Sequence, residues 1–217
     1  MLGASKSLDR GKKNEQREFL EEDLEPRLEE AKKGKRKVFF VDAAHFVMGS
    51  FLGYFWCIRR IFVPTSSGRK RYNVLGALNA ITHELVTVCN DTYINALSIC
   101  ELLQKIRDLV GADEIVTLVL DNAAYQRCTL VTEFAKDLKI ELLFLPSYSP
   151  NLNLIERLWR LVRKDCLNGK YFEHFDDLRY TIKQSLMMVS HGKKKEEMES
   201  LFTLNFQLYD SAIYERG

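Results

Sequence analysis

Residues 115 to 145 constrain the fold more than any other part of the chain. They read IVTLVLD, then a segment carrying Leu130, Val131, Phe134 and Leu138 on one side at helical spacing, then IELLFL. Two short apolar runs flanking a helix within about 30 residues make a strand, helix, strand crossover, which joins parallel strands with a right-handed connection. Just upstream, Ile99, Leu102, Leu103, Ile106 and Val110 fall at i, i+3, i+4, i+7 and i+11, with Glu101 and Lys105 paired on the other face. That is an amphipathic helix, stopped at Gly111.

Before that helix the pattern is one of strands. KVFFVDAAHF predicts a first strand ending near Asp42. GYFWCIRRIFV (53–63) and RYNVLGALNAI (71–81) follow, separated by Pro64, Ser66, Ser67 and Gly68, so the three read as an antiparallel meander. Thr82, His83 and Glu84 predict a tight turn before LVTVCN, which extends the third strand into a hairpin or bent ribbon. Residues 1–36 are charged, with Phe19, Leu20, Leu24 and Leu28 at near-helical spacing, and read as a helical lead-in ended by Gly34. After 145 the loop PSYSPNLN feeds a helix from Leu154 to about Leu167, another runs from Asp176 to Val189, and 191–217 form a helical tail. Meandering strands followed by helix, strand, helix, strand, helix is the element order of the α/β ribonuclease H-like fold. The expectation is a mixed five-stranded sheet, three strands antiparallel and two parallel, flanked by helices and spanning 37–190. The fourth strand then lies parallel to the first, and Asp42 and Asp121 meet at the carboxyl edge of the sheet, where open α/β sheets place their sites.

Composition narrows the function classes. With 32 basic and 30 acidic side chains the net charge is +2, which excludes a nonspecific polycation but leaves room for local basic patches. The longest run free of Asp, Glu, Lys and Arg, Ala43 to Ile58, is 16 residues, too short and too polar to span a membrane. The N-terminus has no apolar signal core, so a cytoplasmic protein is expected. Five widely spaced cysteines without a CxxC pair read as reduced core thiols, and no two of the four histidines are spaced to share a metal. GxGxxG, GxxxxGK[ST] and GxSxG loops are absent, which argues against a small-substrate α/β enzyme.

Three carboxylates occupy special places: Asp42 ending the first strand, Asp121 ending the fourth, and Glu156 in the first turn of the helix after the proline loop. Carboxylates fixed on rigid elements suit Mg²⁺, and two such ions can clamp the attacking and leaving oxygens of an in-line phosphoryl displacement. Ordinary structural roles compete. Asp121 before Asn122 is common turn composition. Asn153 and Glu156 have the spacing of a capping box, and Arg160 and Lys164 continue that face as a salt-bridge ladder. Spacing alone does not separate these roles.

The surrounding motifs are more specific. VFFVDAAHF (38–46), GRKRYNVLGALN (68–79), LVLDNAAYQ (118–126) and above all LPSYSPNLNLIERLW (145–159) resemble the DDE transposases of bacterial insertion sequences in the mariner superfamily. The resemblance runs from about Phe19 to Leu186, and the 34 residues between Asp121 and Glu156 match the spacing of that branch. It implies a ribonuclease H-like catalytic domain in which Asp42, Asp121 and Glu156 hold two Mg²⁺ or Mn²⁺ ions. Asn122 and His45 are expected to support them. Arg69, Lys70, Arg71, Arg160 and Lys164 are expected to contact DNA, the partner, alongside a second copy of the chain in a homodimer, with no membrane involved. Trp159 is assigned to the core, and Tyr148 and Ser149 either touch the scissile strand or shape the turn. The sequence departs from relatives at Leu154, where proline is frequent, and at Gln126, where some have histidine. About 37 residues precede the first strand, too few for the helix-turn-helix modules of the family, which points to a catalytic half. The alternatives are a truncated fragment that only binds DNA or dimerises, and another ribonuclease H-like nuclease.

Overall fold

A computed structural model describes residues 13–48, 70–190, 199–206 and 208. The sheet contains β1 (Lys37–Val47), β2 (Arg71–Asn79), β3 (Leu85–Asn90), β4 (Val116–Leu120) and β5 (Ile140–Phe144) in the order β3-β2-β1-β4-β5. β1, β2 and β3 are antiparallel neighbours, while β4 runs parallel to both β1 and β5. This is the mixed five-stranded, ribonuclease H-like sheet expected from the sequence. Its membership differs in one respect: LVTVCN is a full third strand on β2, turned by Thr82 and His83, rather than an extension of it. The run 53–63, expected as a meander strand, lies outside the described residues.

Both faces of the sheet are covered, as a parallel pair requires. Even-numbered β1 residues Val38, Phe40, Ala44 and Phe46 join one core with α5 (Ile155–Leu167), α6 (Phe175–Ser190) and the lead-in helix. Phe39 and Val41 join the other, under α3 (Ala96–Val110) and α4 (Thr129–Asp137). Helix α3 begins as a capping box, Asn95 accepting from the Ser98 N–H at 3.1 Å, and ends at Gly111, whose φ of 87° suits glycine. The predicted Glu101–Lys105 pair forms at 2.8 Å. In α4 the buried residues are Val131 and Ala135, whereas Leu130, expected inward, is 49% exposed because it falls one position off the inward stripe. Of the expected core thiols only Cys166 is buried; Cys100 and Cys128 are half-buried, Cys89 is exposed at the β3 edge, and Cys57 lies outside the described residues.

The lead-in is helical from residue 13, as α1 (13–18), a π-helical turn Phe19–Leu24 and α2 (Glu25–Lys32). Pro26 lacks the N–H that the α-helical ladder needs, and the Glu25 N–H reaches back five residues to Leu20 O instead. Phe19, Leu20, Leu24 and Leu28 are buried against the first core. Arg27 grips both oxygens of Glu141 on β5, at 2.6 Å for its closest contact, and Arg36 bonds Glu141 and Thr117 of β4. These charge-assisted bonds hold the Glu141 carboxyl down at about 2, with Arg27 the main cause. Among the described residues no helix is long and apolar enough to cross a membrane.

One close approach fixes α5 on the sheet. Gly76 lies opposite Asp42 in the β1–β2 register, and a Cβ there would stand 2.8 Å from the Trp159 ring, itself fully buried. Gly76→Ala therefore forces Trp159 outward and is expected to cost about 1–3 kcal/mol, as overpacking does. Urea denaturation of the two proteins checks this; an unchanged midpoint would contradict the packing.

Candidate active site

The acids gather where β1 outruns its parallel neighbour. β1 pairs with β4 as far as Phe40 and Val119; β4 ends at Leu120, and two more residues along each strand bring Asp42 level with Asp121. Asp42 therefore lies inside a long strand rather than at its end, because β1 continues to Val47 paired only with β2. Beyond β4, the Leu145 N–H donates to Leu120 O at 2.8 Å and the Asn122 side chain donates to Leu145 O. These bonds tie the ends of β4 and β5 together and set the loop that carries Asp121.

From Leu145 the chain turns through Tyr148, whose φ of 59° is unusual for a bulky residue, and its ring is 83% exposed. A 3-10 turn, Pro150–Leu152, leads to Asn153, whose Nδ2 donates to Val41 O at 3.3 Å. That bond fastens the entry of α5 to β1 one residue before Asp42. The capping box expected at Asn153 and Glu156 does not form: Leu154 takes the N-cap position without a side-chain bond, since Asn153 is engaged with β1. Glu156 is thereby presented to a cleft of about 250 Å³ that Asp42, Asp121, Asn122, Tyr148 and Asn153 also line.

Asp42 senses the other two carboxylates. Asp42 is pushed up to about 7, first by burial and next by Glu156, with a smaller push from Asp121. The Ala43 N–H and the Trp159 indole N–H pull it back in part, although the indole makes no full hydrogen bond. Tyr125, which sequence reasoning passed over, is pushed up to about 12 by burial and then by Asp121 and Asp42. Among the described residues no lysine or arginine pairs with any of the three acids, and the Glu156–Arg160 ladder is not formed. Nor, among the described residues, do three His, Cys, Asp or Glu side chains stand close enough to chelate one ion as they are. The donor set is nonetheless all oxygen: three carboxylates, with Asn153 Oδ1 and Ser149 Oγ buried in the lining without hydrogen-bond partners. That set fits a hard divalent cation.

Residues 37–179 match the DDE superfamily endonuclease family. The chain belongs to that family. A curated relative, an uncharacterized 39 kDa protein of insertion element IS630 from Shigella sonnei, is 27% identical over 126 residues, 57% of this chain and 36% of its own length. The chain thus spans about a third of that relative. The Mos1 strand transfer complex superposes with a TM-score of 0.57 at 13% identity, over 92% of this chain and 62% of its own. The mariner Mos1 paired end complex with Mg does so at 0.54 and 12%, over 93% and 64%. At such identity the likeness concerns the fold.

The other expected site residues of this endonuclease domain divide. Asn122 is in place, holding the strand ends. His45 is not, because three residues along a strand reverse the face; its ring Nδ1 lies 2.7 Å from Asn73 Oδ1 on the far side of the sheet. Gln126 is fully buried and does not line the cleft. Arg160 and Lys164 are exposed one and two turns beyond Glu156. Lys70 and Arg71 are exposed at the start of β2, at the cleft end of the sheet, with Lys70 Nζ 5.9 Å from the Phe175 ring centre. Arg69 lies outside the described residues. The motif around Glu156 is the signal that finds Asn153, and Tyr125 lies within the motif 118–126 around Asp121.

The Asp42 carboxyl gives a pH test. Its value is about 7 in the fold against an ordinary 3.8, so between these the unfolded chain sheds a proton that the folded chain keeps. Stability therefore falls as pH rises from about 4 to 7 and levels above that, the full effect being at most about 4 kcal/mol. Without divalent ions, Asp42→Asn is expected to gain stability over wild type progressively across that window. Parallel stability curves from pH 4 to 8 would show that Asp42 is not so buried.

Proposed function

We propose that this chain is the catalytic domain of an insertion-sequence transposase, which cleaves DNA strands at the element's ends and joins them to target DNA. The observation that carries the reading is the convergence of Asp42, Asp121 and Glu156 on one cleft, with Asp42 raised to about 7 by burial and by the other two. A cluster of unneutralised acids is costly to hold, and such perturbed groups mark functional sites. The IS630 relative and the Mos1 complexes support the same direction.

Two Mg²⁺ or Mn²⁺ ions, when bound, would supply charge neutralisation at the attacking and leaving oxygens of an in-line phosphoryl displacement. Asp42 would help hold both ions, with Asp121 and Glu156 each completing one site. Asn122 keeps the Asp121 loop tied to the end of β5 and Asn153 keeps Glu156's helix fixed to β1. No side chain acts as a covalent nucleophile; the released 3′-hydroxyl is the nucleophile for the joining step. Arg160 and Lys164, on the exposed side of the helix that starts at the cleft, would hold the backbone phosphates of the DNA, with Lys70, Arg71 and Arg69 continuing that path. Acting on two element ends calls for two copies of the chain.

The test is nicking of an end-labelled duplex with Mn²⁺. Asp42→Ala and Glu156→Gln are expected to lose cleavage by at least about a hundredfold while folding and binding DNA as wild type does; cleavage retained in either sinks the assignment. Removing Arg160 and Lys164 together, both to alanine, should weaken DNA binding and make its dependence on log salt shallower by about 2, one unit per lost phosphate contact. An unchanged salt slope would exclude α5 from the DNA path.

A further inference from the structure

The segment 199–206 follows the part of the chain that matches the endonuclease family, yet it grips the framework of the site. Phe202 is buried and its ring lies 5.3 Å from the His83 ring in the β2–β3 turn. Phe206 stands 5.9 Å from Phe40, which precedes Asp42 by two residues on the same face of β1. The third hold is on α5. Arg157, the residue after Glu156, donates to the carbonyl oxygens of Leu201 at 3.1 Å, Thr203 at 2.6 Å and Asn205 at 2.9 Å, and its guanidinium lies 5.9 Å from the Phe206 ring centre. A guanidinium is a rigid fork of five donors, so three bonds to one short segment fix its direction.

The first turn of α5 needs such a hold, for it has no side-chain cap. We propose that Arg157 is a positioning residue, and that segment 199–206 is a strap that fixes the first turn of α5, and with it the Glu156 carboxylate, against Asp42 on β1. The inference rests on the reading that these acids hold divalent ions. It adds that the geometry of the acid pair depends on a backbone segment beyond the motif-bearing region, through one arginine that touches neither ion nor DNA.

The experiment is Mn²⁺ titration by calorimetry on the whole chain, with Mn²⁺-dependent nicking of a duplex on the same samples. Arg157→Ala is expected to weaken Mn²⁺ binding by about tenfold, as loss of an outer support of a metal ligand does. The half-saturating Mn²⁺ for nicking should rise by the same factor, with the rate at saturating Mn²⁺ returning to within about threefold of wild type. Arg157→Lys, which can reach fewer carbonyls, should fall between the two. Phe206→Ala, which leaves every residue of α5 in place, should move Mn²⁺ affinity in the same direction if Arg157→Ala proves too unstable to purify. Val189→Ala, a buried truncation on α6, is the control for general loosening: its stability should drop and its Mn²⁺ affinity should not. Mn²⁺ affinity equal to wild type in Arg157→Ala or Phe206→Ala, or weakened equally in Val189→Ala, overturns the strap. A wild type that binds no Mn²⁺ would instead overturn the proposed function, and the strap's role with it.

Discussion

Three carboxylates share one half-buried cleft, and among the described residues no cation stands beside them. Everything around the cleft works against their repulsion. β1 is held by apolar side chains on both faces, Phe40 and Ala44 on the side of Asp42 and Phe39 and Val41 on the other. Gly76 admits the Trp159 ring opposite Asp42, which brings α5 close enough for Glu156 to raise the Asp42 pKa. Large-to-small complementarity of this kind permits one helix position and no other.

The opposite end of the same sheet shows what a structural carboxylate looks like. Glu141 is also partly withdrawn from water, but Arg27 and Arg36 converge on it and Thr117 donates a further bond, so its pKa falls to about 2. Asp42 rises to about 7. Burial and the other two acids raise Asp42, while Arg27, Thr117 and Arg36 lower Glu141: one charge is answered by the protein itself and the other is not. The bonds that shape the cleft are likewise of a different kind from those at Glu141. Asn122 and Asn153 reach backbone carbonyls of neighbouring strands, so they fix geometry without neutralising the acids.

Much of this was legible in the residues. The change from strand runs to helical spacing after Asn95, and the crossover from 115 to 145, dictate the parallel pair and hence the meeting of Asp42 and Asp121. What periodicity could not supply was register. His45 looked like a neighbour of Asp42 in the sequence, but a strand of 11 residues carries it to the other face; with the strand taken to end near Asp42, that alternation had no force. Asn153 and Glu156 had the spacing of a capping box, and the box lost to a tertiary bond, Asn153 to Val41, that no local pattern announces. Arg157 carries no local mark of its role, because its partners are backbone carbonyls more than 40 residues on and carbonyls have no sequence signature.

Helix α5 concentrates these demands in 13 residues. Ile155, Leu158, Trp159 and Val162 must face the core, Glu156 the cleft, and Arg157 the segment 199–206, while Arg160 and Lys164 stay in water. At about 100° per residue, a rotation that improved one of these contacts would break another. A helix held from several directions has no soft mode by which Glu156 could drift away from Asp42, even though its first turn lacks a cap. Rigidity of the acid pair thus arises from competing anchors around one helix, and loosening any single anchor should be felt at the cleft before it is felt in the fold.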